Sequence, residues 1–301
     1  PELKFPGLVD SNSPAFWDGE SLVVFNSAFY PVRATGSNLE ELKLEEPVVC
    51  TDCQRGGGRW LEAVWQEPET RTLYGWYHLE PDDLPCLTAP VIGAAISRDG
   101  GRTWQDQGPV LENRYPTSCG DQNGYFAGGN GDFSVVLDRQ QQYFYFMYSN
   151  YGGPTAQEGI ALARGPFAGR GQPGTVSKYF RGAWSEPGLG GRVTPVFRTA
   201  TGWAGPHVDA LWGPSIHWNT AVGAYVALMN RALGADWMQE GIYLTVSDDL
   251  ITWAPPQKIL TSDQWYPQVF GLGPRGTDSL GGGTSRLFVG GISKYVLQLA
   301  R

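Results

Sequence analysis

Short apolar stretches alternate with polar turns along most of the chain, a pattern that predicts strands. The clearest unit begins with Gly131 and Asp132, continues through apolar residues 133–137, and returns after a polar turn through residues 143–149. A third apolar stretch follows at residues 159–164. Short apolar runs rich in β-branched and aromatic residues, bounded by turn residues, are typical of β-strands. We therefore predict an acidic residue at the head of an antiparallel sheet.

Variants of this unit recur. We place their starts near residues 10, 60, 131, 208 and 265, and the first unit carries the hairpin signal Asp18-Gly19. The polar stretch at residues 33–58 predicts a long loop with one outer strand. Sheets that repeat in one order predict an all-β, five-bladed β-propeller, with residues 1–301 as a single domain. A β-sandwich would not explain the shared order, and we expect the N-terminal segment to close the ring against the last blade.

The segment from Ser97 to Trp104 matches the pattern S-x-D-x-G-x-x-W, the Asp-box of sialidases and other propellers. In such a turn the Asp accepts backbone N–H bonds, the Gly takes a positive φ and the Trp packs underneath. We interpret Asp99 as a marker of the fold and assign it no catalytic role.

Composition narrows the function. The formal net charge is −8, and no long basic run occurs, so nucleic acid and anionic membranes are poor partners. No apolar stretch reaches the roughly 20 residues that span a bilayer. Aromatic residues make up 13% of the chain, which suits both a β core and stacking against the apolar faces of sugars. A carbohydrate is therefore the expected partner.

All four cysteines lie in the first half of the chain. Cys50 and Cys53 have the spacing of metal ligands, but no second such pair follows, so a zinc site is disfavoured. We expect disulfides instead, either Cys86–Cys119 or a link from the Cys50/Cys53 turn. Disulfides are typical of exported proteins, which predicts a secreted or periplasmic enzyme.

In a propeller the innermost strands all begin at one face, around the central channel. The residues just before or within these strand starts should therefore converge. They are Asp10, Glu62, Asp132, Asp209 and Gln268. A single carboxylate at a strand start is usually bonded to backbone N–H groups, but four together repel one another unless they share protons, hold a cation or flank a scissile bond.

Four segments resemble the five-bladed β-propeller glycoside hydrolases, that is, the arabinanase and β-xylosidase group (family 43) and its invertase-like and arabinofuranosidase relatives. They are the Asp10-Ser-Asn-Ser-Pro-Ala start, Gly131-Asp132-Phe-Ser-Val-Val-Leu-Asp138, Trp212-Gly-Pro-Ser-Ile-His-Trp218 and Ser247-Asp-Asp-Leu-Ile-Thr-Trp253. The resemblance is distant and spans nearly the whole chain. It implies that Asp10 is the catalytic base and that Asp132 tunes the pKa of the acid.

The chain departs from this family at the general acid. Where the family has Glu before Gly-Pro in the fourth blade, this chain has Trp212. The nearest carboxyl is Asp209, and Glu240 and Glu62 are the alternatives. Asp10, Asp132 and Asp209 are thus the candidate catalytic residues.

Other residues near the expected channel are candidates for substrate binding. They are Asn12, Trp65, Trp212, His217, Trp265 and Gln268. His217 is also a candidate ligand for a structural Ca²⁺ in the channel, as a histidine is in some relatives, although we expect no required cofactor. We expect His78 and His207 to be packed or solvent-facing, and Trp17 to lie in the core.

The leading hypothesis is a glycoside hydrolase that cleaves a poly- or oligosaccharide with paired carboxylates at the propeller axis. The first alternative is a non-catalytic carbohydrate-binding propeller, which the substitution at Trp212 favours. A sialidase-like enzyme ranks last, because no Arg residues stand at the inner-strand starts to bind a substrate carboxylate.

Overall fold

The computed structural model describes residues 2–53 and 55–300. Five β-sheets of four to six strands surround a central axis, and one short 3₁₀ helix, Phe167–Gly169, interrupts the third sheet. The predicted all-β, five-bladed propeller and its single domain are confirmed. Within the described residues, no helix is long and apolar enough to cross a membrane.

The first two blades contain the strands nearest the N-terminus. Strand β1 (Leu3–Lys4) comes first in the chain but belongs to the last blade. Blade 1 consists, from the axis outward, of β2 (Ala15–Asp18), β3 (Ser21–Ala28), β4 (Tyr30–Gly36) and β5 (Lys43–Pro47). Blade 2 consists of β7 (Gly58–Gln66), β8 (Leu73–Glu80), β9 (Val91–Ser97) and β10 (Thr103–Leu111), with β6 (Val49–Cys50) on its outer edge.

The segment at residues 33–58 is more ordered than the sequence predicts. Instead of a loop with one outer strand, it contains most of β4, all of β5 and β6, and the first residue of β7. The residues of β5 are largely exposed because it is the edge strand of its sheet, so the apolar alternation that would reveal a strand is missing.

Blades 3 to 5 contain the remaining strands. Blade 3 consists of β11 (Asn130–Leu137), β12 (Tyr143–Asn150), β13 (Gly159–Pro166), β14 (Ser177–Phe180) and β15 (Ala183–Pro187), with β16 (Phe197–Arg198) beside β13. Blade 4 consists of β17 (His207–Asn219), β18 (Ala224–Ala235), β19 (Gln239–Ser247) and β20 (Gln257–Leu260). Blade 5 consists of β21 (Pro267–Gly271), β23 (Thr284–Val289) and β24 (Ile292–Gln298), and β22 (Leu280–Gly281) pairs with β17.

The N-terminus closes the ring, as predicted. Strand β1 pairs antiparallel with β24, so the first strand of the chain completes the last blade. Phe5, which follows β1, is buried and stacks on Phe288 with ring centroids 4.0 Å apart. At the axis, the Gln268 side chain accepts a hydrogen bond from the Ser13 N–H (2.9 Å) and donates one to the Ser13 carbonyl (2.7 Å). Blades 5 and 1 are therefore joined at both the inner and the outer edge.

Three inner strands carry a β-bulge at one level of the channel. The register shifts at Glu62 in β7, at Asp132 in β11, and between Trp212 and Ser215 in β17. Contacts between blades align the bulges, because Asn12 Nδ2 donates to the carbonyls of Phe133 (2.8 Å) and Pro214 (2.9 Å). A bulge re-aims a side chain and interrupts the ladder, and these bulges therefore position the residues at the axis.

The turn at Asp99 has the contacts that its sequence predicts. The carboxylate accepts the N–H groups of Arg102 and Thr103 at 3.0 Å each. Gly100 and Gly101 have positive φ, and Trp104 is buried beneath the turn. Asp99 thus stabilises the connection between β9 and β10, far from the axis.

Two disulfides form, Cys50–Cys53 and Cys86–Cys119. The Cys50–Cys53 bond closes its own turn, so this turn makes no link to another cysteine, whereas Cys86–Cys119 is one of the expected pairings. The Cys86–Cys119 disulfide joins the β8–β9 connection to the β10–β11 connection. These two connections lie at the end of the channel where the innermost strands begin, which we call the mouth.

Candidate active site

Asp132 lies at the centre of a polar cluster below the mouth. Its carboxylate accepts hydrogen bonds from the hydroxyls of Tyr151 and Tyr266, the latter at 3.2 Å, and its side chain is almost fully buried. Burial raises the pKa of Asp132, while His78 and the Tyr151 hydrogen bond oppose the increase. Its φ of 39° is rare for a residue other than glycine, and such strain persists mainly at functional sites.

Glu62 is the second buried acid. Its Oε2 accepts the Phe133 N–H at 2.7 Å, whereas its Oε1 is buried without a hydrogen-bond partner among the described residues and lies 3.6 Å from His78 Nδ1. Burial and the neighbouring Asp132 raise the pKa of Glu62 well above its usual value. Glu62 therefore favours its protonated form.

His78, at the end of β8, connects these buried acids to the surface. The Asp132 N–H donates to its Nδ1 at 3.0 Å, and its Nε2 lies 3.3 Å from Oε1 of the half-buried Glu80. Burial would lower the pKa of His78, but Glu80, Asp132 and Glu62 outweigh it and raise the pKa to about 9. The Asp132 amide instead favours a neutral His78 ring, because its N–H needs a free lone pair on Nδ1. We assign the ring proton to Nε2, facing Glu80, from this hydrogen bond.

Asp10 is the solvent-facing carboxyl of the cluster. Its backbone N–H bonds the Ser27 carbonyl at 2.7 Å, and its side chain is exposed at the mouth. Partial desolvation in this concave surface, followed by the charges of Asp132 and Glu80, raises the pKa of Asp10 to about 6. A carboxyl that titrates near neutral pH in a crowded cleft is a candidate acid or base.

The cluster does not fit a resident metal ion. Glu62, His78 and Asp132 offer ligand atoms within 4.8 Å of one another. However, His78 Nδ1 accepts the Asp132 amide, and both Asp132 oxygens accept tyrosine hydroxyls. Two atoms of the three side chains are left without a hydrogen-bond partner among the described residues, Glu62 Oε1 and His78 Nε2, whereas Ca²⁺ takes about six to eight oxygen ligands.

Aromatic side chains from blades 3 to 5 form one wall of the mouth. Their buried members are Phe126, Tyr151, Trp203, Trp212, Trp237 and Tyr266. Tyr125 and Trp265 lie half-buried above them, with ring centroids 5.6 Å apart. Burial raises the pKa of Tyr125, and the charges of Asp236 and Asp10 add to the increase. Tyr125 and Trp265 are therefore available to a ligand at the mouth.

Trp212 occupies the place where the fourth blade would offer an acid. It is 1% exposed, and its indole N–H donates to Gln239 at 3.2 Å. The next residue, Gly213, has the positive φ (58°) that Asp132 has in blade 3. The bulge of blade 4 therefore contains Gly213 where blade 3 has Asp132. Trp212 packs into the aromatic wall of the mouth.

The structure separates the other candidate acids from this cluster. Asp209 forms a two-point ion pair with Arg231, at 3.0 and 3.2 Å. Glu240 binds Lys258 and the Tyr243 hydroxyl; burial acts in the opposite direction, but these partners lower the pKa of Glu240. Neither carboxyl is placed to donate a proton at the mouth.

Four of the proposed substrate-binding residues have structural contacts instead. Asn12 joins blades 1, 3 and 4, and Gln268 joins blades 1 and 5. Trp65 lies near the end of β7, away from the mouth, and packs on Phe144 and Phe167. It was expected near a strand start, but β7 begins at Gly58 and Trp65 is its penultimate residue.

His217 also lies away from the mouth, near the end of β17. Burial lowers its pKa to about 3, so the ring is neutral. Its Nε2 is 3.4 Å from the Asn219 amide, and it belongs to no group of three metal-ligating side chains among the described residues. The structure therefore gives His217 no partner for a cation site.

Sequence reasoning missed His78, Glu80, Tyr151 and Tyr266 as site residues. The antiparallel pairing offered a signal, since the end of β8 returns to the face where β7 begins, and Gly58 pairs with Glu80 and Trp60 with His78. Likewise, Tyr151 follows the end of β12, and Tyr266 precedes β21. The ends of second strands thus meet the starts of first strands at the mouth.

An apolar cavity of about 350 Å³ lies between blades 1 and 2, beneath the Cys50–Cys53 turn, and Tyr30 at the start of β4 is one of its lining residues. None of the carboxyls of the polar cluster lines it. The candidate chemistry is thus at the mouth, and this cavity takes no part in it.

No family model and no curated protein matches this chain by sequence. Solved structures do match over nearly its full length. A thermostable family-43 glycoside hydrolase shares 11% identity and a TM-score of 0.60, covering 99% of this chain and 93% of that one. The endo-arabinase from Bacteroides thetaiotaomicron shares 12% identity and a TM-score of 0.61, covering 99% and 97%. An exo-1,5-alpha-L-arabinanase from a bovine ruminal metagenomic library shares 10% identity and a TM-score of 0.61. That match covers 96% of this chain and 94% of the arabinanase chain. The predicted likeness to five-bladed propeller glycoside hydrolases is therefore confirmed as a distant likeness of fold.

Proposed function

We propose that this chain is a glycoside hydrolase that cleaves a glycosidic bond of a poly- or oligosaccharide at the mouth. The observation that carries the proposal is Asp10, an exposed carboxyl whose pKa is raised to about 6 beside a cluster of buried acids. Similar structures named as arabinanases support a polysaccharide substrate. The half-buried rings of Tyr125 and Trp265 support sugar stacking beside that carboxyl.

Hydrolysis needs one carboxyl that holds a proton for the leaving oxygen and one carboxylate that activates water or attacks carbon. Asp10 suits the first role because of its raised pKa. Glu80 suits the second because it is only half-buried at the mouth and its Oε1 lies 3.3 Å from His78 Nε2. The family resemblance implies that Asp10 is the base, and the pH dependence of turnover distinguishes the two assignments.

Asp132 acts through its charge and through His78, and Glu62 acts through His78 alone. Asp132 fixes the imidazole by its backbone N–H, and it raises the pKa of Asp10. Glu62 lies on the Nδ1 side of the same ring. Both are buried beneath Asp10, so we assign them to positioning and tuning, with no contact to the sugar.

A second candidate function rests on Trp212. An aromatic ring in place of the fourth-blade acid suits a propeller that binds a carbohydrate without cleaving it. In that case Asp10 and Glu80 would accept hydrogen bonds from sugar hydroxyls.

The test is turnover of a panel of aryl glycosides and of arabino-, xylo- and galacto-oligosaccharides. We expect the wild type to cleave at least one substrate, and Asp10→Asn and Glu80→Gln to lose about 10²-fold or more in kcat. Glu69→Gln is the matched control, since this exposed carboxyl lies in the β7–β8 turn at the opposite face. Cleavage by Asp10→Asn at the wild-type rate would refute the proposal, and binding without any cleavage would favour the second candidate.

Both disulfides fit an oxidising compartment, and we propose that the enzyme is secreted or periplasmic. We also propose that it requires no cofactor, since two carboxyls suffice for this chemistry.

A further inference from the structure

Two exposed aromatic rings stand at the tip of blade 1, on the face of the mouth. Phe29 is 47% exposed and Tyr30 is 65% exposed. They form the turn between β3 and β4, which is so tight that Ala28 pairs directly with Tyr30. Most large aromatic side chains of this protein are buried, so this exposed pair needs a reason of its own.

The backbone at this turn has a conformation that is unusual for an aromatic residue. Phe29 has a φ of 75°. Glycine adopts this conformation freely, whereas a bulky side chain there is strained. Residues in such conformations cluster at binding and active sites, which makes Phe29 a candidate for contact with a ligand.

A chain of ring contacts links this turn to the catalytic cluster. The Phe29 ring lies 5.8 Å from Trp60, and Trp60 lies 5.5 Å from His78. The same strand end also holds Asp10, whose N–H bonds the Ser27 carbonyl. The exposed pair is therefore continuous with the mouth.

Gly58 makes this contact possible. A Cβ at this position would lie 2.4 Å from the Trp60 ring and 2.9 Å from the Phe29 ring. The interplanar angles are 73° between Phe29 and Trp60 and 79° between Phe29 and Tyr30, so the rings meet edge to face and leave much of Phe29 and Tyr30 open. They form an angled apolar platform beside the carboxyl cluster.

We propose that Phe29 and Tyr30 form a second sugar-binding subsite for the same oligosaccharide. Its occupant is a sugar unit beyond the one that lies over Asp10, held by stacking of its apolar face on these rings. The inference rests on the proposed function, because it assumes that a sugar chain enters the mouth. It adds that the enzyme prefers chains long enough to reach blade 1.

Binding is tested on Asp10→Asn protein, so that no substrate is consumed, with arabino-, xylo- and galacto-oligosaccharides of one to five units by calorimetry. In this background Phe29→Gly removes the ring and relieves the backbone strain, so the fold should persist. We expect affinity for monosaccharides to stay unchanged and affinity for the longer chains to fall by about tenfold, which corresponds to about 1.4 kcal/mol. Tyr30→Ala, which does not depend on the strained position, should act in the same direction.

Gln141→Gly is the matched control, because Gln141 is also exposed at a positive φ (53°) but lies in the β11–β12 turn at the opposite face. The subsite would be overturned if Phe29→Gly and Tyr30→Ala both left the affinity unchanged for every chain length. It would also be overturned if the Asp10→Asn protein without these changes bound no chain. If Phe29→Gly in the otherwise wild-type enzyme cleaves chains of every length at the wild-type rate, the subsite is overturned and the hydrolase proposal stands. Length-dependent loss of binding in a protein without cleavage would instead support the subsite and reject the hydrolase.

Discussion

At the scale of single residues, the site separates carboxyls that solvent reaches from carboxyls that it does not. Asp10 and Glu80 lie at the mouth, whereas Glu62 and Asp132 are at most 3% exposed. The buried pair is closed to a ligand at the mouth. Asp132 raises the pKa of Asp10 by its charge, and both buried acids lie against His78, which is next to Glu80. This arrangement sets pKa values without placing extra acids in the substrate's path.

Asp10→Asn should raise the melting temperature at pH 7.5 and leave it unchanged at about pH 3.5. The fold raises the pKa of Asp10 from 3.8 to about 6. Its contribution to stability is therefore present below 3.8 and is lost as pH rises through 6, since the folded state then holds an unfavourable charge. Thermal unfolding at the two pH values checks this, with Glu69→Gln as a control for net charge. Equal melting temperatures of wild type and Asp10→Asn at pH 7.5 would show that the ionised Asp10 carboxylate does not destabilise the folded state.

The sequence predicted Asp10, Glu62 and Asp132 as a converging set, because acids before or within inner strands meet at the axis. It placed Asp209 wrongly in that set. Strand β17 is 13 residues long, so Asp209 lies well above the bulge, where Arg231 on β18 reaches it. The length of β17 is set by its pairing with β18, and the pattern of apolar residues in the sequence does not predict that length.

At the scale of elements, the bulges of β7, β11 and β17 position the site. Each inserts extra backbone at the axis and turns a residue toward its neighbours. The bulges are also bonded to one another, since the Gly213 N–H donates to Ser149 Oγ at 3.0 Å and Ser149 lies opposite Gly131 in the ladder. A substitution that shifts the backbone of one inner strand should therefore also shift the neighbouring inner strand.

Gly131→Ala should destabilise the protein by about 1–3 kcal/mol, the usual range for overpacking. The new Cβ would lie 2.5 Å from Cε1 and 2.6 Å from Nδ1 of His78, so the ring must move. Urea unfolding measures the loss in free energy of unfolding. Gly205→Ala is the control, because its Cβ meets no atom within 4 Å. If Gly131→Ala matched Gly205→Ala in stability, the tight packing of His78 against β11 would be disproved.

At the scale of the whole molecule, ring closure holds the mouth together. Five sheets converge on one axis, and the ring is closed by β1 on the outside and by Gln268 and Ser13 on the inside. The repeat of strand-forming units predicted this architecture. The identity of the acids was not predictable from the fold, because distant propellers share backbone geometry while the side chains at their axes differ.

Phe5→Ala should lower the free energy of unfolding by about 3–5 kcal/mol. Phe5 is 1% exposed, stacks on Phe288 and anchors the strand that completes blade 5. Urea unfolding checks this, with the 77% exposed Leu8 as control, where Leu8→Ala should change stability by no more than about 0.5 kcal/mol. A loss below about 1 kcal/mol for Phe5→Ala would mean that the N-terminus does not hold the ring closed.

The most direct test of the account is the pH profile of kcat/KM for a substrate that the wild type cleaves. If Asp10 donates the proton, its carboxyl must be protonated, so kcat/KM should fall as pH rises through about 6. Activity that instead rises with pH through this range would make Asp10 the base, as the family resemblance implies. A profile without any limb near pH 6 would contradict the claim that Asp10 carries the chemistry.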